Sequence, residues 1–213
     1  SAAAGPPCSL TNSSRIMDAN KGKEDAQAPV LYHMGAVDGV SEGLTEKQLT
    51  AIRMNNILHR RCASIIMSVG LNGGLVLIET PSLRSDPTRL DVYDPRCVGQ
   101  FVHSTALDMS CWQQVIQALD LRLVTTEFCG WNDTKGRNTA QKATDFYGSP
   151  PLVEYMQPTI DARRCGVSTG GIGLHAPSAH LTALGGKVGG KYNTSGTGAY
   201  PQELVECLSA ALS

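Results

Sequence analysis

Between positions 45 and 69 apolar residues return every three or four places, at Leu49, Ile52, Ile57, Leu58, Ile65, Ile66 and Val69. That spacing puts them on helical faces, since 3.6 residues make a turn. Thr45-Glu-Lys-Gln48 adds a capping box, in which the Thr45 hydroxyl accepts from the Gln48 amide and the Gln48 side chain reaches back. A helix is therefore predicted from this cap to about Ser68, stopped by Gly70, Asn72, Gly73 and Gly74. Leu75-Val-Leu-Ile78 follows as an all-apolar run between turn signals, which reads as a strand buried on both faces, as in a parallel sheet. Glu79 then comes directly after that strand, at the carboxyl end where open parallel sheets bind ligands.

The same reading gives a second strand–helix–strand unit. Leu107, Met109, Trp112, Val115, Ile116 and Leu119 have helical spacing, Leu121–Phe128 reads as a strand, and the chain returns as a strand over 141–147. Thr80–Arg96 is a Pro- and Asp-rich loop, and residues 148–198 are rich in Gly and Pro, with a short helix predicted at 151–156. Pro201 opens a last helix whose apolar face is Leu204, Val205, Leu208 and Leu212, with Glu203 favouring its positive end. Residues 9–44 read as a long polar loop with one apolar island, Val30-Leu31-Tyr32.

Composition narrows this picture only at a few points. A chain of 213 residues with 41% hydrophobic and 17% charged residues is globular, with one main domain expected, and its net charge of −1 supplies no general attraction for nucleic acid. Local basic clusters (Arg60-Arg61, Arg84 with Arg89, Lys135/Arg137/Lys142, Arg163-Arg164, Lys187/Lys191) read first as solvated faces. No run approaches the roughly 18 apolar residues that span a bilayer, and the N-terminus lacks the order of a signal peptide. No membrane partner is expected, and the expected location is intracellular, nuclear or cytoplasmic. Seven widely spaced cysteines without a C-x-x-C pair argue against a disulfide framework and a zinc ribbon. Cys165, His175 and His180 match no standard metal spacing, so no metal is expected, and no histidine stands in a strand-end context that would pair with Cys8 in a cysteine hydrolase. Trp112 and Trp131 read as core or turn-anchoring residues, and Gly185-Gly-Lys-Val-Gly-Gly190 as a turn.

Two groups with chemistry stand near predicted strand ends: Cys8, after Ala2-Ala-Ala-Gly-Pro-Pro, and Glu79. Parallel strands would bring both to one edge, a thiol held by the prolines and a carboxylic acid able to give a proton to a ring between them. With "AGPPCS", "VLIETPS", a "QKAT" strand and a terminal "GTGAYPQELVECLSAAL" in this order, the chain resembles the catalytic half of the DNA cytosine carbon-5 methyltransferases. It is most similar to the divergent methyltransferase-like domains of algal and protist mobile elements.

The resemblance implies an α/β fold, doubly wound with a mostly parallel sheet of the Rossmann-like methyltransferase type, whose N-terminal cofactor-binding part is missing or truncated. It implies a partial core over 1–147, a reduced recognition-like region over 148–194 and a C-terminal helix over 195–213 returning to the core. Cys8 would be the nucleophile toward carbon 6 of a flipped-out cytosine and Glu79 the acid at ring nitrogen 3. Pro7, Ser9, Arg137, Gln141 and Lys142 would lie toward the substrate; Pro6, Gly196 and Thr197 would lie toward S-adenosylmethionine, the methyl donor. DNA and an upstream part of the same polypeptide are the implied partners. The chain departs from the family at three places: Thr80 replaces the Asn after the Glu, Ala143 and Asp145 stand where the Gln-x-Arg-x-Arg strand has arginines, and the Gly-rich cofactor loop is not found before Cys8. The alternative reading is a catalytically inactive remnant that binds nucleic acid or a partner within a mobile-element polyprotein.

Overall fold

The computed structural model describes residues 1–6, 10–11, 13–20, 29–89, 92–131, 143–163, 187–188, 191–192 and 200–213. Its elements are β1 (Ala2–Ala4), α1 (Ser13–Asn20), α2 (Glu46–Leu71), β2 (Val76–Pro81), α3 (Ser110–Ala118), β3 (Arg122–Glu127), β4 (Ala143–Gly148), α4 (Pro150–Asp161), β5 (Lys187–Val188), β6 (Lys191–Tyr192) and α5 (Gln202–Leu212). Three 3-10 turns occupy 95–97, 106–108 and 128–130.

The capping box forms as expected at the start of α2, with the Gln48 side chain accepting from the Thr45 amide at 2.8 Å. The helix runs past Gly70 to Leu71, because tertiary packing of its buried face outweighs the helix-weakening effect of one glycine. It ends at Asn72 and Gly73, where a φ of 77° at Gly73 suits a residue without Cβ. α4 is twice as long as expected, carrying Leu152, Val153, Met156 and Ile160 inward despite Pro158.

β1, β2, β4 and β3 make one sheet in that order. β1 and β2 pair in parallel, while β4 runs antiparallel to both β2 and β3. Three of the four strands therefore point the same way, and the sheet is mixed instead of mostly parallel. The inserted β4 accounts for the difference: it follows β3 in the chain and pairs with it antiparallel, which needs no long crossover.

Helices cover both faces. Val76 and Ile78 pack with Ile52, Ala63 and Ile66 of α2 and with Trp112 and Val115 of α3. Leu77, Val124 and Phe146 pack on the other face with α4 and with Leu204 of α5. Strand alternation thus divides one sheet between two apolar layers. Trp112 and Trp131 are both fully buried, as expected, and their indole N–H groups donate to His59 Nδ1 at 2.9 Å and to Thr126 Oγ1 at 2.7 Å.

The polar stretch 9–44 is not all loop. It contains α1, whose Ile16 is buried, and Asn20 donates to the carbonyls of Arg96 and Phe101 and accepts from the Phe101 amide. Val30, Leu31 and Tyr32 are buried, and Asp38 caps α3 by accepting from the Ser110 amide at 3.1 Å and from its hydroxyl. No described helix is long and apolar enough to cross a membrane.

Candidate functional site

Parallel pairing of β1 and β2 sets Ala4 opposite Ile78, so Gly5 comes beside Glu79. A Cβ built on Gly5 would lie 3.3 Å from Glu79 Oε2. The carboxylate thus lies against the backbone where the Gly-Pro-Pro-Cys stretch begins, and Pro6, the next residue, is buried. Glu79 does not follow its strand as expected. It lies within β2, opposite Phe146, because pairing with β4 extends the strand to Pro81.

Gly5 and Glu79 share a groove of about 260 Å³ with Ala3, Ala4, Leu77, Phe146, Tyr200, Val205, Leu208 and Leu212. One wall is the sheet and the other is α5, the terminal helix singled out in the sequence. Apolar walls around one carboxylate suit a flat ring that offers a single polar edge, because the walls take the faces and the carboxylate the edge. The walls do not fit S-adenosylmethionine, whose ribose and amino-acid portions need several polar partners. Among the described residues the groove offers Glu79, Ser209 and Tyr200 as its polar side chains.

Of the residues carried over from the resemblance, Glu79 and Pro6 are described. Pro7, Cys8, Ser9, Arg137, Gln141, Lys142, Gly196 and Thr197 lie outside the described residues, as do Cys165, His175 and His180. Thr80, at the position where the resembled family has Asn, is 2% exposed on the face opposite Glu79, and its Oγ1 has no hydrogen-bond partner among the described residues. Among the described residues no group of three or more His, Cys, Asp or Glu is arranged to hold a metal.

A second polar group escaped the sequence reading. Asp145 of β4 receives two bonds from the Arg89 guanidinium, at 2.7 and 2.9 Å, and further hydrogens from the hydroxyls of Ser82 at 2.6 Å and Thr125 at 2.8 Å. Asp145 is 3% exposed, so Arg89 is no solvated cation; it neutralises a buried carboxylate. The available signal was Asp145 itself, a charge in the middle of an apolar strand pattern, which requires a partner. Arg163 likewise pairs with Glu203 and stacks over Trp131, 4.8 Å from the ring centroid, joining α4 to α5. His103 is buried near Arg84, whose amide donates to its Nδ1 at 3.3 Å, and burial lowers its pKa to about 4.

Compared with protein-family models, with curated proteins and with solved structures, the chain matches none.

Proposed function

We propose that the chain is a domain of the DNA cytosine carbon-5 methyltransferase type, with Cys8 as nucleophile and Glu79 as acid. The observation that supports this most is the contact between the Glu79 carboxylate and Gly5, three positions before Cys8, on a groove sized for one ring. The Cys8 sulfur adds to carbon 6 of an extruded cytosine, since no thiolate reaches that atom within the stack. The C5–C6 π pair moves to C4–C5, the C4–N3 π pair moves to nitrogen 3, and Glu79 delivers a proton there. Carbon 5 is then nucleophilic and takes a proton or another electrophile; loss of its original hydrogen as a proton to water restores the C5–C6 double bond, the sulfur leaves carbon 6 as the thiolate, and nitrogen 3 returns its proton to Glu79.

The buried, unpartnered hydroxyl of Thr80 favours a second reading. The side chain that should brace the cysteine loop faces the other side of the sheet, which suits a domain that binds nucleic acid or a partner without turnover.

The addition step can be read without the methyl donor. DNA tritiated at cytosine carbon 5 should release tritium to water when incubated with the chain, because the enamine exchanges at carbon 5 before elimination. Cys8→Ser should abolish release and Glu79→Gln should reduce it at least about tenfold. DNA containing 5-fluorocytosine, with S-adenosylmethionine added, should form an adduct through Cys8. No release and no adduct, with DNA binding retained, would leave the binding reading in its place.

A further inference from the structure

α2 is apolar on two opposite faces. Ile52, His59, Ala63 and Ile66 are buried against the sheet. On the far side Met54, Leu58 and Ile65 are 62%, 47% and 63% exposed. Together with Arg61 they occupy positions 54, 58, 61 and 65, the alternating four- and three-residue steps of a coiled-coil seam. The stripe extends over about 16 Å of helix. A surface helix ordinarily turns one apolar stripe to the core and a polar face to water, and this one carries a second apolar stripe into solvent. Beside the seam, α2 and α3 enclose an open groove of about 750 Å³, bordered by Arg60, Ser64, Ser68 and Cys111, with room for side chains of a helix laid along the stripe.

Charge decides what kind of helix. α2 carries Lys47, Arg53, Arg60 and Arg61 against a single acid, Glu46, which is paired with Arg53 at 2.9 Å. Arg60 and Arg61 are exposed, and among the described residues neither makes an ion pair. α3 contributes no charge to the groove. A second copy of α2 would bring these arginines against each other. A flat anionic bilayer would leave the groove unfilled.

We propose that this face of α2 docks an amphipathic helix of another protein, one with an apolar seam flanked by carboxylates. Met54, Leu58 and Ile65 interleave with its apolar residues. Arg61, a lone cation within the seam, takes a carboxylate and sets the register, as single polar seam residues do in coiled coils. Arg60 adds a second contact at the rim, which selects partners by charge more than it adds affinity.

The probe is a synthetic helical peptide with leucine at its a and d positions and glutamate at e and g, titrated with the full chain by fluorescence anisotropy. The glutamate peptide should bind, and a peptide with lysine in place of every glutamate should bind about tenfold or more weakly. Ile65→Asp should remove binding without changing the melting temperature, since Ile65 is exposed. Arg60→Glu with Arg61→Glu should reverse the preference between the two peptides. Absence of binding, or equal binding of both peptides, overturns the proposal. So does a dimer in sedimentation that Ile65→Asp dissolves, which assigns the face to a second copy. Capture of the chain by phosphatidylserine vesicles that the glutamate peptide does not displace assigns it to a membrane surface.

Discussion

Glu79 Oε2 and the position a Cβ of Gly5 would take are 3.3 Å apart, so the start of the Gly-Pro-Pro-Cys stretch and the carboxylate of the neighbouring strand are fitted to each other. Gly5→Ala should be accommodated within about 0.5 kcal/mol, because Glu79 gives way by a few tenths of an ångström. Gly5→Val should displace the carboxylate, and its effect should appear as loss of tritium release at unchanged melting temperature. A fall in melting temperature with release intact would mean that the contact serves only packing.

The Arg89–Asp145 pair predicts a large cost for removing one partner. Arg89→Met leaves a carboxylate buried beside two hydroxyls, and it should destabilise the chain by about 3 kcal/mol in urea unfolding. Adding Asp145→Asn should recover part of that loss, because the amide needs no counter-charge. If the single substitution costs less than the double, the pair does not carry the charge balance of this face.

Thr80 predicts the opposite sign. Its hydroxyl is buried without a partner among the described residues, so Thr80→Val removes an unsatisfied group while keeping the branched shape, and thermal melting should show a gain of about 1 kcal/mol. A loss of similar size would reveal a bond made by Thr80.

His103 makes stability depend on pH. Its folded pKa is about 4 against an ordinary 6.5, because burial disfavours the charged ring and Arg84 adds a repulsion. The unfolded chain therefore takes the proton first as the pH falls. The stability is full above pH 6.5 and is lost progressively down to about pH 4, a change of about 3 kcal/mol. Urea midpoints at pH 7.5 and 4.5 should converge in His103→Gln, which does not titrate there. Equal pH dependence in the two proteins would assign the effect to other groups.

Gly130 is held by close approach. A Cβ there would fall 1.8 Å from the Arg163 carbonyl oxygen, so Gly130→Ala must push α4's end away from the turn after β3. A loss of about 2 kcal/mol or more is expected in thermal unfolding, accompanied by weaker quenching of Trp131 as Arg163 leaves its ring.

The elements legible in the sequence are those whose cause is local. The Thr45–Gln48 box and the three- and four-residue spacing define α2, alternation and apolar runs define β2, β3 and β4, and Pro201 with its apolar face defines α5. α1 was not legible, since what holds it is Ile16 in the core and Asn20 bonded to a loop some eighty residues away.

What the sequence determined alone is thus the elements with local signals, α2, β2, α3, β3, β4 and α5, and the candidacy of Glu79 beside the Gly-Pro-Pro-Cys stretch. The tertiary structure decided the rest. A strand's backbone pairs with any neighbour, so the insertion of β4 between β2 and β3, which puts Glu79 inside the ladder opposite Phe146, is written in no local pattern. The same holds for Arg89 and Asp145, 56 positions apart: burial turned an arginine that read as a solvated face into the partner of a strand carboxylate, because a carboxylate removed from water must find its cation within the fold.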